Sequence, residues 1–257
     1  MISIVMAYYN RKKVLRETLK SINKSAYKDF EVIAVDDASL PEERIEDLMI
    51  EFPFLKIIRI EPENKWHYNS CVPFNIGIKA VSGDIVILQN PECLHVHDIL
   101  SYVAKKVNDF NYVTISTYQT GKELTLRIVK IIENRLVSSK YFLDFFAALP
   151  QQSCTGSNDI GWYNHSIYRP TAYHFCSAMT RKNMNRFKGF AQKFARGIGF
   201  EDAEFIDRVR ASELEVIISD EVSVIHQSHP FAFEPGPEQR GLYRRNNKIY
   251  SRSGGGR

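Results

Sequence analysis

Residues 30–39 read FEVIAVDDAS: a strand-forming run, FEVIAV, that stops at two aspartates, an alanine and a serine. The stretches on either side repeat the pattern. Residues 3–7 (SIVMA) form an earlier apolar run. Asn10 then stands as a helix cap before Val14, Leu15, Thr18, Leu19 and Ile22, which recur at helical spacing. Downstream, 41–50 reads as a helix with proline at its start and acids in its first turn. Residues 55–60 are a third strand, 73–81 a helix despite Gly77, and 84–88 (DIVIL) a fourth strand. Strands alternating with helices predict an α/β fold: an open, mostly parallel twisted sheet joined by right-handed crossovers and flanked by helices.

Such sheets bind ligands in the crevice at the carboxyl ends of their strands. Three of the four runs end in polar clusters: Tyr8-Tyr9-Asn10, Asp36-Asp37 and Gln89-Asn90-Pro91-Glu92. All three should converge on one edge. No GxGxxG or GxxxxGK[ST] follows the first strand, which disfavours a dinucleotide dehydrogenase or a P-loop enzyme.

The second half has a different texture. A helix is expected at 97–107 and a strand near 112–117, with helices in 127–149. Residues 151–170 look like a polar, aromatic loop. A strand follows within 173–180, a helix at 201–209, and two short strands at 216–218 and 222–225. After Arg244 the chain thins to NNKIYSRSGGGR. Residues 246–257 are expected to be a disordered tail, or the cut edge of a longer polypeptide.

The 257 residues are 44% hydrophobic and 25% charged, an ordinary globular composition with room for one large core or two small ones. The longest unbroken apolar run, 4–9, has six residues, far short of a membrane span. No basic-apolar leader is evident at Met1, so the expected location is cytoplasmic. A net charge of +4, interspersed until the tail, argues against a nucleic-acid partner. Cys71, Cys93, Cys154 and Cys176 contain no CxxC pair and read as free thiols.

Three constellations carry chemistry. Asp36-Asp37 can accept hydrogen bonds from a ribose or a base N–H, although aspartate also caps turns. Gln89-Asn90-Pro91-Glu92 offers oxygen ligands to a hard divalent cation, or a polar turn. Glu201-Asp202, at a helix start, can hold a carboxylate towards an acceptor hydroxyl and take its proton; capping would use the same residues. His226 and His229, spaced i, i+3, could add a metal ligand or simply belong to a surface loop.

In this order the blocks resemble glycosyltransferase family 2, with its GT-A nucleotide-sugar fold, over residues 2–230. SIVMAYYNRKKVLRETLKSI, FEVIAVDDAS, PFNIGIKAVSGDIVIL, FKGFAQKFARGIGFEDAEFIDRV and VIHQSHP are similar to five successive family blocks. The resemblance implies a Rossmann-like domain over 1–245, with a nucleotide-sugar half at 1–98 and a smaller acceptor half at 99–245. It implies that Ala7, Tyr9, Asp36, Asp37 and Asn75 bind the nucleotide-sugar, with Gln89 and Asn90 assisting. Glu92 and His226 would hold Mn²⁺ or Mg²⁺. Asp202 would be the catalytic base and Glu201 its acceptor-binding neighbour, while Trp162, Tyr163 and His165 would face the acceptor.

Two positions depart from the family pattern. Gln89-Asn90-Pro91-Glu92 replaces the usual DxD, and Phe74 stands where many members carry arginine. Lys65, Arg181, Arg244 or Arg245 would then have to supply the missing cation. The implied activity is inverting transfer of a sugar, most simply from a UDP-sugar, to a glycan hydroxyl. The alternatives are a catalytically silent nucleotide-sugar or carbohydrate binding module and a sugar-phosphate nucleotidyltransferase.

Overall fold

The computed structural model describes residues 1–134, 139–154, 160–229 and 236–254. Its first part follows the expected alternation: β1 (Ile2–Tyr8), α1 (Lys12–Asn23), β2 (Phe30–Asp37), α2 (Leu48–Glu51), β3 (Leu55–Ile60), α3 (Cys71–Lys79) and β4 (Ile85–Gln89). A short β5 (Cys93–His95) and α4 (Ile99–Lys106) lead to β6 (Asn111–Gln119), α5 (Lys122–Asn134) and α6 (Ser139–Ala147). Then come β7 (Gly161–Asn164), β8 (Cys176–Thr180), α7 (Arg181–Phe187), α8 (Glu201–Arg210), β9 (Glu215–His226) and α9 (Pro237–Arg252).

Among the described residues one mixed sheet runs β3-β2-β1-β4-β8-β6-β9-β5, with β7 paired to β6. The β3-β2-β1-β4 part is parallel, and β8 joins it antiparallel through Gln89↔Cys176. This is the GT-A arrangement, an open sheet with helices on both faces.

Side chains alternate across each strand. Ile2, Ile4, Met6 and Tyr8 of β1 pack with Leu15, Leu19 and Ile22 of α1 on one face. Val5 turns to the other face, against Phe74 and Ile78 of α3. Gly77 is what lets α3 lie so close: a Cβ there would meet Val5 Cγ1 at 2.4 Å. A third cluster under α5 and α6 gathers Tyr118, Phe142, Phe146 and Trp162.

Five local expectations change. The loop expected over 151–170 contains β7, paired to β6. Asn10 does not cap α1; its backbone is left-handed (φ 46°), and its Oδ1 accepts from Leu40 N at 2.8 Å, tying the loops after β1 and β2 together. The helix expected over 41–50 is broken into a 3-10 turn (Pro41–Glu43) and α2. The break follows from Glu43, whose carbonyl accepts from Tyr8 Oη and whose carboxylate accepts from Lys12 N. The two strands expected at 216–218 and 222–225 form one strand, β9, whose pairing with β6 shifts register between Ile115 and Ser116.

The tail is the fifth. Residues 246–252 are not disordered but complete α9, because Asn246 is fully buried and donates to Phe194 O (2.9 Å) and Gly199 O (3.0 Å). Residues 255–257 lie outside the described residues.

Candidate functional site

The carboxyl ends of β1, β2 and β4 open into a cleft of about 230 Å³ lined by Tyr9, Arg11, Asp37, Lys65, Asn90 and Glu92, among others. Ala7 lies in its wall, as do Tyr68 and Ser70. The expected convergence of three strand ends on one edge is therefore present.

The two aspartates closing β2 part ways because consecutive strand residues face opposite sides. Asp37 faces the cleft, where Oδ1 meets His67 Nε2 at 2.8 Å and Oδ2 meets Lys65 Nζ at 3.0 Å. Lys65 Nζ also sits 4.1 Å above the Tyr9 ring, so Tyr9 and Asp37 share one cation. Asp36 is fully buried; its carboxylate accepts from Arg59 Nη1 at 2.7 Å and from Ser39 N at 2.9 Å. Expected on the nucleotide side, Asp36 is engaged by these protein partners and fixes the turn that presents Asp37.

Glu92 is the centre of a second group. Pairing of β5 with β9 sets Cys93 opposite His226. His226 Nε2 then lies 3.1 Å from Glu92 Oε1, and His229 Nε2 lies 3.5 Å from the same oxygen. Arg11 Nη1 meets Glu92 Oε2 at 3.0 Å. Burial alone would raise the Glu92 carboxyl, but the Arg11 charge and the hydrogen bonds from both histidines outweigh it and hold the group well below its usual range. Burial lowers His226 despite Glu92 beside it, leaving the imidazole neutral at pH 7. One carboxylate oxygen and two imidazole nitrogens lie within 4.8 Å of one another. That donor set fits a divalent cation of borderline softness, nearer to Mn²⁺ than to Mg²⁺.

The acid pair stands at the start of α8, after Gly199 (φ 70°) and Phe200 (φ 72°), two left-handed residues that turn the chain sharply. Glu201 is buried and accepts from Asn69 Nδ2 (2.6 Å) and Ser70 Oγ (3.1 Å), which ties α8 to the cleft wall. Asp202 is half-buried, and its Oδ1 accepts from Ala203 N at 2.7 Å. Desolvation, and after it the charge of Glu201, push the Asp202 carboxyl up to about 7. The same group feels the charge of Arg169, which lies over the rings of Tyr163 and Tyr173.

Other expected residues are placed differently. Asn75 is turned away from the cleft, with its amide clamped on the backbone of Phe190 through two 2.8 Å hydrogen bonds. Gln89 is fully buried, donating to Cys93 O and meeting His95 Nε2 at 2.9 Å. Trp162 is buried against Tyr118 and Phe146, with Nε1 donating to Gln151, so its faces are not open to a sugar. His165 packs on Trp162 and lies 3.7 Å from Asp220. Tyr163 does approach the site: it stacks on Phe175 and meets the His226 ring edge-on at 4.9 Å.

Sequence reasoning missed Arg11 and His67. Arg11 was visible only as one of three basic residues in NRKK, and His67 only as part of a loop whose path needs α3 to be in place. Of the cations named to replace the missing arginine, Lys65 lines the cleft. Arg181 instead pairs with Asp84 before β4, and Arg244 and Arg245 belong to α9.

Comparisons with known proteins bear on the family and the fold. The family described as "Glycosyl transferase family 2" matches residues 3–173. Escherichia coli chondroitin synthase is 31% identical over 219 residues, 79% of this chain and 30% of that protein. The uncharacterized glycosyltransferase YwdF of Bacillus subtilis is 30% identical over 112 residues, 44% of this chain and 40% of that protein. The chain thus spans less than half the length of these curated relatives. Among solved structures, S. aureus TarS 1-349 in complex with UDP-GlcNAc superposes with a TM-score of 0.61 at 15% identity, over 94% of this chain and 64% of that one. The mannosyltransferase PcManGT from Pyrobaculum calidifontis, in complex with GDP-Man and Mn²⁺, gives 0.54 at 15% identity, over 90% and 57%. The chain belongs to glycosyl transferase family 2.

Proposed function

We propose that this chain is an inverting glycosyltransferase that moves a sugar from a nucleoside-diphosphate sugar, most simply a UDP-sugar, to a glycan hydroxyl. The observation that carries this is the meeting of Glu92, His226 and His229 at the end of the cleft that Asp37 and Lys65 line. Nucleotide-sugars in the complexes of TarS and PcManGT, and the name of the chondroitin synthase, support the donor and acceptor classes.

Asp37, held by His67 and Lys65, accepts from the base, while Tyr9 and Ala7 wall the nucleoside. Arg11 and Lys65 supply fixed positive charge to the diphosphate. Glu92, His226 and His229 would hold a divalent cation, which when bound offsets charge on the leaving diphosphate. Gln89-Asn90-Pro91-Glu92 then serves in place of DxD with its glutamate alone as the anionic ligand.

Asp202 takes the proton of the acceptor hydroxyl as that oxygen attacks the anomeric carbon. The bond from this carbon to the diphosphate oxygen breaks, and the diphosphate leaves with the electron pair. A carboxyl raised to about 7 is a stronger base than an ordinary aspartate, which suits this role. Glu201 fixes the loop by its bonds to Asn69 and Ser70.

The test is turnover of UDP-sugars with Mn²⁺ and a glycan acceptor, with the product anomer read by NMR. Inversion is expected. A retained anomer, or hydrolysis unaffected by Asp202→Asn, contradicts the mechanism.

A further inference from the structure

Resting on the transferase assignment above, we infer that the outer face of α9 and the aromatic rim beside it form a docking track for an anionic glycan, a chain bearing regularly spaced carboxylates or sulfates. The track lies outside the cleft and involves none of its donor-side residues except Tyr68, where it begins.

α9 carries five basic residues and one acid, Glu238, so this single helix holds +4, as much as the whole chain. The charge is ordered. Gln239, Leu242, Asn246, Ile249 and Tyr250 are half-buried or buried and make the docked face. Arg240, Arg244, Lys248 and Arg252 fall at successive i+4 steps on the opposite side and are all exposed. Successive members are about 6 Å apart along the axis, and the four span about 18 Å. None of the four forms an ion pair with an acid among the described residues. A folded domain of nearly balanced charge has no structural need for such an unneutralised stripe; it fits a polymer with repeated negative charge.

The stripe connects to the transfer site through a row of side chains. Arg245 Nη1 donates to Lys193 O, beside exposed Arg196. The Arg196 guanidinium lies 5.8 Å from the centre of the Trp66 ring, which is 52% exposed. Tyr68, 45% exposed, follows and lines the cleft itself. On the other flank Phe200, directly before Glu201, packs against Tyr243 and Tyr250 of α9. Open aromatic faces alternating with cations suit sugar rings that carry acidic groups. The exposed face of α9 offers no large aliphatic residue for insertion into a bilayer, which separates it from a membrane-surface helix.

The test uses the full chain and a combined variant, Arg240→Gln, Arg244→Gln, Lys248→Gln and Arg252→Gln, with Trp66→Ala made separately. Binding is measured at low and physiological salt for oligogalacturonate and its carboxyl-reduced counterpart of equal length. Single-stranded DNA and phosphatidylcholine vesicles containing phosphatidylserine are run alongside, and UDP binding is followed in every variant. Oligogalacturonate is expected to bind at least about tenfold more tightly than its reduced form. The combined variant should lose about that factor, and Trp66→Ala should weaken both oligosaccharides; added salt should weaken the charged one. Equal binding of the charged and reduced chains, or tighter binding of DNA or vesicles than of oligogalacturonate, overturns the inference. Retained UDP binding in that case leaves the transferase assignment standing, whereas loss of UDP binding by the unaltered chain counts against that assignment instead.

Discussion

His226 Nε2 and Glu92 Oε1 lie 3.1 Å apart, brought together from distant parts of the sequence by the pairing of β5 with β9. Gln227 reinforces the junction: its N–H donates to Glu92 O at 3.0 Å and its side chain donates to Thr18 Oγ1 at 2.9 Å. The cluster is therefore anchored at the backbone before any ligand enters. Glu92→Gln keeps the side chain's size but removes its charge. Calorimetry with Mn²⁺ should show affinity at least about tenfold weaker, roughly 1.4 kcal/mol. The melting temperature should fall at neutral pH, because the ionised Glu92 beside Arg11 stabilises the folded state. Unchanged Mn²⁺ affinity would place the cation elsewhere.

Arg11 is expected to act with opposite signs on two ligands. Its guanidinium stands 3.0 Å from Glu92 Oε2 and 3.4 Å from His229 Nε2, where it repels a second cation. Arg11→Met should tighten Mn²⁺ binding to the free protein and weaken UDP binding, the latter by about tenfold. A fall in both affinities would mean that Arg11 serves chiefly to hold the fold.

The raised Asp202 carboxyl makes a prediction in two quantities. Transfer should rise with pH through about 7, as the carboxyl loses its proton, and Asp202→Asn should lower turnover by about 10²–10⁴ while UDP still binds. Stability should move the other way. The folded state holds this proton more tightly than the unfolded chain, whose aspartate titrates near about 3.9, so the wild type loses stability as pH rises from that value to about 7. Asp202→Asn should therefore melt higher than wild type at neutral pH and show little difference below about pH 4. A wild-type pH–rate curve that is flat through neutrality would remove Asp202 from the role of base.

Asn246 holds the loop that carries the acid pair. Its side chain donates to Phe194 O and Gly199 O, and its Oδ1 accepts from Arg245 Nη1 at 2.7 Å. Gly197 has to be glycine for this, since a Cβ there would meet Asn246 Oδ1 at 2.3 Å. Asn246→Ala removes two buried hydrogen bonds, leaving Phe194 O with Gly197 N alone and Gly199 O with Asn69 Nδ2 alone, at a cost of about 1–3 kcal/mol. Differential scanning calorimetry should register a drop of about 2–4 °C for each kcal/mol. Turnover should fall more than UDP affinity, because the loop carries the proposed base, Asp202. An unchanged melting point would show that α9 docks without this residue.

Much of this was legible in the sequence wherever the signal is local. The β1-β2-β3-β4 strands and the helices between them announce themselves by periodicity, and Asp37, Glu92 and Asp202 stand at the ends of such elements. What the sequence hides depends on direction and on distant partners. Asp36 and Asp37 are identical residues, and only strand alternation decides that one pairs with Arg59 and the other faces the cleft. Trp162 looks like a sugar platform until Tyr118 and Phe146 close over it. The sequence from 246 onward looks too polar to order, yet residues 246–252 dock through the buried Asn246 amide, the Tyr250 hydroxyl on Asp207 and the Phe200 ring.

The central claim is that Glu92, His226 and His229 hold a divalent cation on a nucleoside diphosphate in the cleft. Calorimetric titration of UDP into the wild-type chain and into Glu92→Gln, each with and without Mn²⁺, tests it most directly. Mn²⁺ should strengthen UDP binding to the wild type by about tenfold or more, and the gain should vanish in the variant. Equal UDP affinity with and without Mn²⁺ in the wild type, or the same gain in Glu92→Gln, would contradict it.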